Sequence, residues 1–133
     1  MNAEDALRIL PATIRKTEND TFARKQHLEG LRLKLRLKEA DLAQDIARET
    51  VDGSPDGKKK HSNADARDAE LRYRLQYDAE AKALKKDVIE EEALIARMQS
   101  TLDYYRDVQR NARVLLLARS PATILFEDEE LPK

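Results

Sequence analysis

Residues 31–38 read Leu-Arg-Leu-Lys-Leu-Arg-Leu-Lys. Strict alternation of this kind is the pattern of a half-buried strand, and the segment can be read that way. It also sits within the longest run of good helix formers in the first half of the chain. In a helix, each step of two residues turns about 200° around the axis. Leu31 and Leu35 then form one ridge, and Leu33 and Leu37 another roughly opposite. Arg32 with Arg36 and Lys34 with Lys38 fill the sides between them. One neighbouring helix cannot cover both leucine ridges. Such a helix therefore implies assembly, and it also offers positive charge to an anion.

The rest of the composition favours the helical reading. Charged residues make up 38% of the 133 positions, aromatic residues 5%, and glycine only 3 residues. Alanine, leucine, glutamate, lysine and arginine dominate, as in long helices and coiled coils. The absence of cysteine rules out disulfides and thiolate chemistry and fits an intracellular protein. Glu4, Asp5 and Pro11 interrupt anything resembling a secretory signal. The longest uninterrupted apolar run, Val114–Ala118, is far too short to span a membrane.

Several elements can be placed. Residues 1–18 read as a short N-terminal helical segment carrying Leu7, Leu10 and Ile14 and weakened by Pro11. Asn19, Asp20 and Thr21 are N-cap candidates for a helix running to about residue 51, with Leu28, Leu31, Leu35, Leu42 and Ile46 as its stripe. The Gly/Pro/Asp-rich stretch that opens at Asp52, with the lysines that follow, predicts a loop over 52–61. Ser62, Asn63 or Asp65 then caps a second helix reaching residue 118, with a possible restart at Asp78. Within it, Ala81, Val88, Ile95, Leu102 and Leu116 fall on one heptad position, and Leu84, Met98, Tyr105 and Ala112 on the other. Glu91 and Gln109 interrupt this seam. Residues 119–133 form an acidic C-terminal tail, in which Ile124-Leu-Phe126 precedes Glu127-Asp-Glu-Glu130. It reads either as a frayed terminus or as a docking segment.

The expected architecture is all-α: a long antiparallel helical hairpin, or coiled coil, over residues 19–118, assembling into a homo-oligomeric ring. A first helix of about 48 Å covers little more than half of a second of about 85 Å. The stretch from Ile95 to Leu117 therefore needs further cover; the N-terminal segment can supply some, but a second copy is the simpler source. The expected interface between copies is Leu31, Leu33, Leu35, Leu37, Ile95, Met98, Leu102, Tyr105 and Leu116.

Catalytic chemistry finds little to use. Glycine is too sparse for a phosphate-binding loop, and no nucleophile elbow occurs. His27 and His61 are far apart and read as surface residues, so no metal or other cofactor is expected. Asp103 and Asp107 share a face with Arg106 and Arg110, as salt-bridged helix surfaces do. An enzyme is not expected. Nucleic-acid binding fits better, because phosphate contacts need only lysine and arginine. Between Arg24 and Lys38 lie six bases and one acid: Arg24, Lys25, Arg32, Lys34, Arg36 and Lys38 against Glu29. Lys58, Lys59 and Lys60 add a loop cluster, and Arg106, Arg110 and Arg113 a second stripe near Tyr104. Tyrosine stacking would favour single strands over duplex.

At this point the chain resembles the UvsY-like recombination mediators of phages. The resemblance rests on Leu33-Lys34-Leu35-Arg36-Leu37, the glycine/aspartate loop, Ser62-Asn-Ala-Asp-Ala-Arg67 and Asp78 in the long helix, over roughly residues 20–118. It implies helical subunits in a ring, cytoplasmic in a host cell, that bind single-stranded DNA and help a recombinase displace single-strand-binding protein. It also implies that Lys34 and Arg36 contact DNA. The alternative is a structural, scaffolding coiled coil that binds only protein partners, and a further one is an adaptor working through residues 124–131.

Overall fold

The computed structural model describes residues 2–51 and 57–119. Residues 1, 52–56 and 120–133 lie outside the described residues, and so do the loop and tail readings placed on them. The described chain is all-α. It comprises α1 (Ala3–Arg48), α2 (Ala64–Tyr77) and α3 (Ala79–Arg119). The alternating segment at 31–38 is helical, not a strand.

Where the sequence suggested a short helix followed by a fresh start near residue 20, α1 runs unbroken from Ala3 to Arg48 with Pro11 inside it. Asn2 starts it: its Oδ1 accepts from the Asp5 backbone N–H at 2.8 Å, as an N-cap does. An interior proline costs about 3 kcal/mol. That cost is offset by burial of Ala3, Ala6, Leu10 and Ile14 around it. Asn19, Asp20 and Thr21 lie mid-helix and cap nothing. The Thr13, Thr17 and Thr21 hydroxyls donate to the carbonyls of Ile9, Thr13 and Thr17, four residues back. This bond lets Thr21 be buried with its hydroxyl satisfied.

The chain divides into two units, Met1–Arg24 with Leu94–Lys133, and Lys25–Ala93. In the first, Ala3, Ala6, Leu10 and Ile14 pack with Leu102 and Ala112, flanked by Leu7, Tyr105, Val108 and Leu116. The end of the long helix thus finds its cover in the chain's own N-terminal segment, and the inference of a second copy from helix length does not stand. In the second unit, Leu28, Leu31, Ile46, Leu75 and Ala81 are buried. Pairing is antiparallel, since Arg32 reaches Glu92 while Glu49 reaches Arg74. Along α3 the inward residues Ala81, Leu84, Val88, Glu91, Ile95, Met98, Leu102, Tyr105, Gln109, Ala112 and Leu116 are all buried or half-buried, as the heptad reading requires.

The second helical stretch does break at Asp78, whose ψ of 120° is extended. The reason lies in the seam. Leu75 and Ala81 are both buried, yet six residues of continuous helix would set them about 120° apart. The break restores the phase. Asp78 ends α2 through its N–H to the Arg74 carbonyl. Its Oδ2 accepts from the Ala81 N–H at 2.8 Å and so caps α3. Asn63 caps α2 in the same way through Ala66 at 2.7 Å. Replacing Asp78 by Ala is expected to lower stability by about 1 kcal/mol in urea unfolding, while Asp78→Asn, which keeps the cap, retains most of it. Equal losses in both variants would show that the cap is not the source of the effect.

Candidate nucleic-acid interface

The two basic ridges of α1 are divided by their geometry. Each gives one member to an ion pair within the chain and leaves the other in solvent. Arg32 flanks the inward stripe and reaches Glu29 at 2.7 Å and Glu92 at 3.9 Å. Lys38 Nζ lies 3.1 Å from Glu80 and 3.6 Å from Asp78. The hydrogen bond to Glu80, with the charge of Asp78, raises the Lys38 ammonium above its ordinary range. Lys34 and Arg36 are exposed. Among the described residues, no carboxylate makes a salt bridge to either.

The leucine ridges divide in the same manner. Leu31 is buried and Leu35 half-buried, whereas Leu33 is 50% and Leu37 56% exposed. Leu33 neighbours Arg36, and Lys34 neighbours Leu37, at the i, i+3 spacing of one helix face. Gly30 lies on the same side, and a side chain there would meet open space. Of the remaining residues assigned to an interface between copies, Leu102 is buried, and Ile95, Met98, Tyr105 and Leu116 are half-buried in this single chain. Leu33 and Leu37 are the pair left outward.

Lys25 is exposed in the same unit, while Arg24, also exposed, belongs to the other. The loop lysines are held against the end of α1 by backbone bonds. The Val51 N–H donates to the Lys58 carbonyl at 2.8 Å and the Lys60 N–H to the Glu49 carbonyl at 2.9 Å, bracketing a bridge between Thr50 and Lys59. Lys58, Lys59 and Lys60 are all exposed. Gly57, at φ +65°, supplies the left-handed turn into them. The second stripe is largely neutralised: Arg106 pairs with Glu18 and Asp103, and Arg110 with Asp107. Arg113 is exposed. Among the described residues, no group of His, Cys, Asp and Glu is arranged to hold a metal ion, and no helix is long and apolar enough to cross a membrane.

Two features escaped the sequence reading. The first is a polar clip around Glu49. Arg74 donates to Glu49 at 2.6 Å and to Glu70 at 2.8 Å. His61, far from being a surface residue, has a side chain only 13% exposed, with Nε2 3.1 Å from Glu49. Arg74 first, then His61, holds the Glu49 carboxyl down at about 2. The second is an aromatic pair, Tyr73 and Tyr77, spaced i, i+4 on α2. That spacing could have been read directly from Arg-Tyr-Arg-Leu-Gln-Tyr at 72–77. His27 is exposed.

Set beside known proteins, the chain matches no family model, no curated protein and no solved structure.

The clip has a pH signature. An unfolded Glu49 takes up its proton near pH 4.5, but the folded one does so only near pH 2. Between these values the unfolded state binds more protons, so the clip's contribution is complete above pH 4.5 and fades as pH falls through about 2. The stability gap between wild type and Glu49→Gln, followed by urea unfolding, is expected to close over that window. A gap that stays constant with pH would contradict this account of the clip.

Proposed function

We propose that this protein is a non-enzymatic accessory of phage-type recombination, which binds single-stranded DNA and assists a recombinase in loading. The observation that supports this reading best is the outward face of α1. There Lys34 and Arg36, exposed and without salt-bridge partners among the described residues, flank the exposed Leu33 and Leu37. Unpaired cations of this kind suit a phosphate backbone, which is held by charge and releases counterions on binding. Lys58, Lys59 and Lys60 extend the positive surface within the same unit. Arg32 and Lys38, expected beside them, act as cross-links to α3 and are secondary in this role.

The outward leucines supply the reason to assemble. Copies that bury Leu33 and Leu37 against one another remove apolar surface from water and bring their Lys34 and Arg36 side chains together. In a closed ring, the repeated cations form a positive belt for the strand. A recombinase and a single-strand-binding protein are the partners this role requires, in the cytoplasm of a host cell.

A labelled single-stranded oligonucleotide, titrated at several salt concentrations, tests the reading. Lys34→Ala with Arg36→Ala is expected to weaken binding and to flatten the slope of log affinity against log salt by about 1.4 for two lost phosphate contacts. Wild-type binding that ignores salt, or no binding at all, would end the proposal. Light scattering tests assembly separately: Leu33→Gln with Leu37→Gln is expected to reduce an oligomeric mass towards that of one chain. A wild type that is already monomeric would remove the ring. The same leucine pair also suits a protein partner, which favours a scaffolding coiled coil as the second reading. Oligomers indifferent to the oligonucleotide would support that reading instead.

A further inference from the structure

The outward side of α2 is polar apart from its two tyrosines and the small Ala64 and Ala69. Asp65, Asp68, Arg72 and Gln76 are exposed, and among them stand Tyr73, 60% exposed, and Tyr77, 64% exposed. No other large exposed hydrophobic lies on this helix. The two rings are 4.9 Å apart between centroids and tilted by 51°. That is a favourable aromatic contact, and it leaves each ring an outer face open to solvent. Because the rings already support each other, less freedom is lost when something stacks upon them.

The position of the pair matters as much as its geometry. Tyr73 precedes Arg74, which is joined to Glu49, and Glu49 is bonded through its carbonyl to Lys60 at the basic loop. Tyr77 precedes Asp78, which faces Lys38 at the end of the basic stretch of α1. Arg72 adjoins the first ring, and no carboxylate among the described residues makes a salt bridge to it. The pair thus sits on α2 beside Arg74, linked through Glu49 to the loop end, and Asp78, which pairs with Lys38. A second helix would need a broad apolar stripe, and α2 offers one narrow line, Ala69, Tyr73 and Tyr77, among charged and polar neighbours. Flat bases whose phosphates reach lysine and arginine fit that mixture.

We infer that Tyr73 and Tyr77 form a stacking platform for unpaired nucleobases, with Arg72 and the loop lysines holding the adjoining phosphates. The inference rests on the single-strand reading above and extends it. It makes binding depend on open base faces as well as on backbone charge. The platform is tolerant of sequence, because every base has a π-face, and it disfavours duplex, whose bases are already stacked.

The test uses the full chain with two probes, a labelled oligo-dT and inorganic polyphosphate, the latter carrying backbone-like charge without bases. Tyr73→Ala with Tyr77→Ala is expected to lose about ten-fold or more in affinity for oligo-dT, with affinity for polyphosphate and the salt slope unchanged. Tyr73→Phe with Tyr77→Phe, which keeps the rings, is expected to bind oligo-dT as wild type does. Circular dichroism confirms that each variant keeps its helix content. Oligo-dT binding unaltered by the Ala pair would overturn the platform while leaving the single-strand reading intact. So would an equal loss on polyphosphate. A fall in mass by light scattering in the Ala variant would make the rings a contact between copies and overturn it as well. Wild-type protein that binds no oligo-dT would remove both the platform and the reading it rests on.

Discussion

A long polar helix gains little by forming alone. Isolated helices are marginal in water, and most helical stability in proteins comes from packing an apolar face. The described structure therefore depends on one narrow inward stripe of α3, from Ala81 to Leu116, being met by α1. Everything off that stripe is left with charge, with solvent or with nothing. The same condition places Arg32 and Lys38 where they can reach across to acids, and it turns Leu33, Lys34, Arg36 and Leu37 away. The candidate interface is in this sense the remainder of the packing problem.

Polar side chains are buried on both helices. Thr21 and Glu91 are both buried. Thr21 satisfies its hydroxyl on its own backbone. Glu91 occupies a seam position where polar residues commonly fix register at some cost in stability. Ion pairs between helices add little energy where they are exposed. Their value lies in rejecting misaligned pairings, because a slide of one turn would set Arg32 and Lys38 away from their acids.

Much of this was legible in the residues. The three-four spacing from Ala81 to Leu116, though interrupted at Glu91 and Gln109, marks the inward face of α3. Asp78 and Asn63 are residues that favour caps, and they cap. The continuity of α1 was not legible, because Pro11 is a strong local signal against helix and its compensation lies far away in Leu102 and Ala112. Ala3, Ala6, Thr17 and Thr21 are too small or too polar to advertise a seam, so the N-terminal segment reads as a partial cover for α3 and a second copy as the simpler source. The fate of each cation was equally hidden. Arg32 and Lys34 look alike in sequence, and the positions of Glu29 and Glu92 separate them. The Glu49 clip joins residues 12 and 25 positions apart, which no local pattern reveals.

The rungs between 49–51 and 58–60 separate closure of the hairpin from whatever connects them. Two backbone bonds and the Glu49 clip fix the ends of the helices there. Lengthening such a connection is cheap, about 0.6 kcal/mol for each doubling. With the ends held at these rungs, the register of the helices on either side is set at the 49–51 and 58–60 pairing itself.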